Sequence, residues 1–190
     1  MLLNFEISGD DVELPKRKSI RLKQFDYSQN GYYFITICTY NRERLLGEFV
    51  GQGLCSCRFS EISLSMIGEI ISSELLQLEK RYPTIKINKH IMMPNHIHAI
   101  IVLGNDKQQK TEKRQEQSPC PTIGDIICTF KSITTKQCNK NDNIQGRKIW
   151  QPRFHDHIIR NEQEYQQMWQ YIDTNPMKWE DDCYYEENNS

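Results

Sequence analysis

Two histidines one residue apart, His96 and His98, stand at the head of the most apolar run in the chain, Ala99-Ile100-Ile101-Val102-Leu103. That run is β-branched and of ordinary strand length, and Pro94-Asn95 before it is a turn signal. On a strand, residues two apart point to the same face, so the pair presents two imidazoles side by side. Neutral imidazoles are good ligands for divalent metals. The plain alternative is two histidines packed near a strand end, each satisfied by a carbonyl or by water, and for an isolated His-x-His it is the commoner outcome. A second group lies downstream. Gln167, Tyr171 and Asn175 recur at intervals of four and so share one face of a helix. A tyrosine is a weak nucleophile at neutral pH because its pKa is about 10. Beside a metal-bound phosphate it can attack phosphorus and form a phosphotyrosine link. An amide oxygen one turn beyond it would serve as a third ligand. Taken alone, Tyr171 reads more readily as a packed ring and Asn175-Pro176 as a turn.

The elements that must position these residues are readable in order. Tyr32-Tyr33-Phe34-Ile35-Thr36-Ile37-Cys38-Thr39 is dense in aromatic and β-branched residues and predicts a strand. Glycines at 47, 51 and 53 among short apolar pieces predict a small hairpin over 45–60. Leu64, Ile67, Ile70, Ile71, Leu75 and Leu78 recur at helical spacing, which predicts an amphipathic helix over 63–81, stopped by Tyr82-Pro83. Strands are expected at 85–93 and 99–103. Ile123, Ile126, Ile127, Phe130 and Ile133 make the stripe of a second helix over 122–137. Residues 150–160 read as extended. A third helix spans 161–175, with Asn161 as N-cap and Glu164 three residues on. Two strand-helix-strand halves on one antiparallel sheet is the ferredoxin-like plan, an α+β fold. Three segments fall outside it: a polar N-terminal tail (1–15), a polar surface loop (105–119) and an acidic C-terminal tail (181–190), flanking or interrupting one domain over 16–180.

Composition limits the function classes. The 190 residues carry a formal net charge of -1, so no global field draws the chain to a polyanion, and any nucleic-acid contact must come from a local patch. Candidate patches are Lys16, Arg17, Lys18 and Arg21 near the start, and Lys131, Arg153 and Arg160 in the second half. The seven cysteines are dispersed, with no C-x-x-C pair, and read as reduced thiols of a cytoplasmic protein. No apolar run is long enough to span a membrane.

Three blocks together match a known family. They are Met93-Pro94-Asn95-His96-Ile97-His98, then Ile149-Trp150-Gln151-Pro152-Arg153-Phe154-His155-Asp156-His157-Ile158-Ile159-Arg160-Asn161, then Tyr171-Ile172-Asp173-Thr174-Asn175-Pro176. In order and spacing they resemble the REP-associated tyrosine transposases, a branch of the single-tyrosine HUH (His-hydrophobic-His) transposases, over about residues 16–180. The resemblance implies an HUH-type endonuclease domain that cleaves and rejoins single-stranded DNA near a hairpin through a 5′-phosphotyrosine. It implies Tyr171 as nucleophile, His96, His98 and Asn175 as ligands of a divalent ion, Mg²⁺ or Mn²⁺, and basic residues holding the DNA backbone. Relatives include homodimers and monomers. A relative that binds hairpin DNA or RNA without cutting, and a phosphodiesterase that uses water, are the other readings. His155 and His157 repeat the spacing of two and are expected to support the fold or contact DNA rather than form a second metal site. Trp150 and Phe154 are candidates for stacking on bases, and equally for the core.

Overall fold

The computed structural model describes residues 30–50, 61–104 and 121–185. Lys16, Arg17, Lys18 and Arg21, the N-terminal tail and the 105–119 loop lie outside the described residues. Strand β1 (Gly31–Cys38) is followed by a short β2 (Gly47–Val50) and β3 (Glu61–Leu64), helix α1 (Met66–Arg81), β4 (Ile85–Met93), β5 (His96–Leu103), α2 (Ile123–Asn141), β6 (His155–Ile159) and α3 (Glu162–Thr174). The main sheet has the order β4-β5-β1-β6, and every neighbouring pair is antiparallel. This is the ferredoxin-like α+β arrangement. Each crossover returns the chain past one strand, with α1 linking β1 to β4 and α2 linking β5 to β6.

The alternation of side chains divides the core in two. Tyr33, Ile35 and Ile37 of β1 and Ile97, Ala99, Ile101 and Leu103 of β5 face α1 and α2, burying Ile71, Leu75, Leu78, Ile123, Ile126, Ile127 and Phe130 between them. The other face carries Phe34 and Ile100, covered by Ile172 of α3. Both large helices start on a side-chain cap: Ser65 Oγ accepts from Gly68 N, and Thr122 with Asp125 forms a capping box.

Several boundaries differ from the sequence expectation. The small hairpin pairs β2 with β3, so its second strand lies beyond residue 60, and 51–60 are outside the described residues. The strand carrying the histidines begins at His96 itself, because Pro94 and Asn95 close a tight turn from β4. Asn175-Pro176 ends α3, yet the chain continues as a 3-10 segment over Asn175–Asp181. Proline is tolerated there because the first turn needs no N–H from it. Trp150 is buried and its indole N–H donates to Thr134 Oγ1 at 2.9 Å, so it is a core residue. Among the described residues no helix is long and apolar enough to cross a membrane.

The Pro94-Asn95 turn is clamped from the side. Leu46 N–H donates to Pro94 C=O at 2.9 Å, and Leu46 C=O accepts from Ser65 N–H at 3.0 Å. Gly68 packs against that same Leu46 carbonyl, where a Cβ would collide with the oxygen. Gly68→Ala is therefore expected to destabilise the protein by about 1–3 kcal/mol, read as a lower urea midpoint; an unchanged midpoint would mean that the clamp yields.

Candidate metal and tyrosine site

The site is built on the α3 face of the sheet. Directly paired residues share a face, so Thr36 of β1 lies beside His98, and Cys38 beside His96. Both histidines are fully buried, at 0% and 1% exposure. Their rings meet through Nε2 and Nε2, 2.9 Å apart. Each Nδ1 is already engaged: His96 Nδ1 with Asn95 Oδ1 at 2.8 Å, and His98 Nδ1 with Thr36 Oγ1 at 2.8 Å. Asn95 Nδ2 donates to the carbonyls of Arg42 (3.1 Å) and Tyr184 (2.8 Å), which leaves Oδ1 to accept. His96 must then carry its proton on Nδ1 and present a bare Nε2. His98 donates its Nε2–H across the gap, and the Thr36 hydroxyl donates to its Nδ1. Because a hydroxyl can also accept, Thr36 supports either tautomer of His98.

Two further groups converge on the pair. Asp182, buried, brings Oδ2 to 4.0 Å from His96 Nε2. One ligand atom from each of His96, His98 and Asp182 lies within 4.8 Å of the others. Asn175, 3% exposed, donates from Nδ2 to Asp182 Oδ2 at 2.7 Å, while its Oδ1 is buried with no partner. A buried carbonyl oxygen without a donor is costly unless something binds it. The donor set fits a divalent ion. Two ligands about 2.1 Å from one ion at a right angle sit about 3.0 Å apart. Two imidazoles, a carboxylate and an amide oxygen suit Mn²⁺ better than Mg²⁺, which prefers oxygen alone.

Tyr171 stands at the rim, 37% exposed, with its ring edge-on to His98 (5.1 Å between centroids) and to Phe34 (5.8 Å). Phe34 in turn stacks on His98 at 5.3 Å. Partial burial, reinforced by the Asp182 carboxylate, pushes the phenol above its ordinary range, while the Asn175 amide pulls the other way. The C-terminal segment closes the far side. The Tyr184 ring lies 4.7 Å from that of His96, and Trp179 lies 5.9 Å from it. Arg42 donates to Cys183 C=O at 3.2 Å and sits over the Tyr184 ring.

The structure thus brings His96, His98, Tyr171 and Asn175 together within one chain. The three described basic candidates lie elsewhere. Lys131 is on α2, across the sheet, and donates to the carbonyls of Gln151 (2.9 Å) and Arg153 (2.8 Å), so its ammonium ties down the segment before β6. Arg153 is exposed in that segment, and Arg160 is exposed just after β6. His157 lies 3.4 Å from Glu164, and no second metal cluster appears among the described residues. Sequence reasoning missed Asp182, Asn95 and Thr36. Asn95 and Thr36 carry a faint signal, as the neighbour of one histidine and the polar residue inside an apolar strand.

Comparison with known proteins places this geometry. No family model matches the chain. An uncharacterized protein of Haemophilus influenzae is 34% identical over 177 residues, spanning 89% of this chain and 93% of its own. A REP-associated tyrosine transposase of Escherichia coli is 29% identical over 99 residues, 52% of this chain and 48% of that protein. The chain is thus similar to a REP-associated tyrosine transposase in sequence over about half of each protein. A solved REP-associated tyrosine transposase bound to a REP hairpin has the same fold: TM-score 0.51, 22% identity, covering 84% of this chain and 74% of that one.

Two outcomes follow from the buried pair. Burial, with Arg42 nearby, pushes His96 down to about 3, and burial with His96 alongside pushes His98 well below its ordinary value. The unfolded chain binds these protons first, so metal-free stability should be complete above about pH 6.5 and fall as pH drops toward 3, by about 1.4 kcal/mol per pH unit for each histidine that titrates. Urea unfolding at several pH values checks this, and a flat profile would contradict neutral buried rings. Thr36→Val removes the partner of His98 Nδ1 and should weaken Mn²⁺ binding by about 10- to 100-fold in calorimetry, with the fold kept.

Proposed function

We propose that this protein is a metal-dependent nuclease and strand transferase that cuts and rejoins single-stranded DNA beside a hairpin, with Tyr171 as nucleophile. The observation that carries it is the convergence of two imidazole Nε2 atoms, an orphaned amide oxygen and a tyrosine on one sheet face. His96 and His98 would hold a divalent ion through Nε2, with Asn175 Oδ1 and the Asp182 carboxylate as further ligands. When bound, the divalent ion acts as a Lewis acid on the phosphate oxygens and brings positive charge beside Tyr171. Without that charge, burial first and the Asp182 carboxylate second keep the Tyr171 phenol protonated. With it, Tyr171 loses its proton and attacks phosphorus; the bond to the 3′ oxygen breaks, and that oxygen leaves as a hydroxyl. The 5′-phosphotyrosine preserves the energy of the broken bond for rejoining to another 3′ end. Phe34 and His98 hold the tyrosine ring by their edges and faces, which fixes its approach.

The site needs no residue from a second chain, which supports action by a monomer. DNA as the partner is supported by the solved transposase bound to a REP hairpin and by a basic groove of about 520 Å³ along α2. Lys136 and Lys148 line it together with Arg147, which is paired with Asp142 at 2.6 Å, and among its described lining residues none is acidic. Such a groove suits a phosphate backbone.

The test is cleavage of end-labelled hairpin oligonucleotides drawn from DNA flanking the gene, with Mn²⁺ or with EDTA. Wild type with Mn²⁺ should give a protein–DNA adduct that survives denaturation; Tyr171→Phe and EDTA should abolish it. Cutting by Tyr171→Phe at the wild-type rate would overturn the assignment. Binding with no adduct would point instead to a silent hairpin-binding relative.

A further inference from the structure

A second pocket opens on the same sheet face, at the other end of α3. Tyr32, Ile159, Arg160, Asn161, Glu162 and Tyr165 line about 350 Å³. Tyr32 precedes Phe34 and Thr36 on the same alternation of β1, so the pocket lies on the same sheet face as the histidine site, with the Phe34–Ile172 cluster between them. Four steps along the strand separate Tyr32 from Thr36, about 13 Å. That is about four stacked nucleotides, and fewer of an extended strand.

The walls are aromatic and one of them is fixed. The Tyr165 hydroxyl accepts from Asn88 Nδ2 at 3.3 Å, and its ring packs against Trp169 at 5.8 Å. Tyr32 meets Tyr165 edge-on at 5.5 Å and remains 43% exposed. A large aromatic left half-open beside an anchored one is a platform for a flat apolar group. The polar rim argues against a phosphate, because Arg160 and Glu162 oppose one another in charge. Their donors and acceptor suit instead the edge of a neutral ring.

We infer that this pocket holds an unstacked nucleobase of the single strand whose phosphate reaches Tyr171. Tyr32 stacks the base with Tyr165 bracing it edge-on, while Arg160 and Glu162 read the base's edge. The pocket would then set where along a strand the cut falls. This inference rests on the cleavage reading above and adds a sequence-reading subsite to it.

The experiment is a binding measurement without metal, so no cut is required. Hairpin oligonucleotides drawn from the DNA flanking the gene, with single-stranded tails, carry 2-aminopurine at each tail position in turn. One position should be quenched on binding wild-type protein. Tyr32→Ala should remove that quenching and weaken binding about ten- to hundredfold, whereas Tyr32→Phe, which keeps the ring, should preserve both. An abasic residue at the quenched position should weaken wild type by a similar factor and leave Tyr32→Ala unaffected. Tight binding with no quenched position, or quenching that survives Tyr32→Ala, overturns the pocket and leaves the cleavage reading intact. Failure of every hairpin to bind removes both.

Discussion

Two imidazole nitrogens 2.9 Å apart, on rings that see no solvent, form a contact that only a shared proton or a shared cation makes favourable. The surroundings are arranged for the exchange of one for the other. Asn95 fixes the tautomer of His96, and its own amide is fixed by two backbone carbonyls. Thr36 can serve His98 whichever nitrogen carries the proton. The rest of the fold keeps this pair in register: β5 is a central strand, paired along its length with β1 and β4, so neither histidine can shift without disrupting the core.

The same strand alternation joins chemistry to substrate handling. On the α3 face of β1, Tyr32, Phe34 and Thr36 run from the aromatic pocket, past the support for Tyr171, to the hydrogen bond with His98. The opposite face is given over to the large apolar core with α1 and α2. One side of the sheet therefore supplies stability and the other the chemistry. Lys131, on the first side, shows the division well. Burial pushes it down to about 8, and it spends its donors on two backbone carbonyls rather than on a ligand.

Much of this was legible in the sequence because it is local. His-x-His on a β-branched run fixes two side chains on one face, and the i, i+4 spacing of Tyr171 and Asn175 fixes two more. Apolar periodicity marked both core helices and the order of elements, from which the ferredoxin-like plan follows. Asp182 was not legible. It reads as one acid in a run of acids, and its place at the histidines depends on long-range contacts: a 3-10 segment after Pro176, Trp179 against His96, and Asn95 donating to Tyr184 C=O. No period encodes such contacts. The tie of Lys131 to the 151–153 carbonyls was hidden for the same reason, as was the meeting of Tyr32 and Tyr165 from elements far apart in the chain.

The central claim is that the two histidines share one cation. Electron spin-echo envelope spectroscopy of the protein loaded with one equivalent of Mn²⁺ tests it directly, since it detects nitrogen bonded to the metal. Coupling to two imidazole nitrogens is expected, reduced to one in His98→Ala. A bound Mn²⁺ with no nitrogen coupling, or coupling unchanged in His98→Ala, would contradict the account.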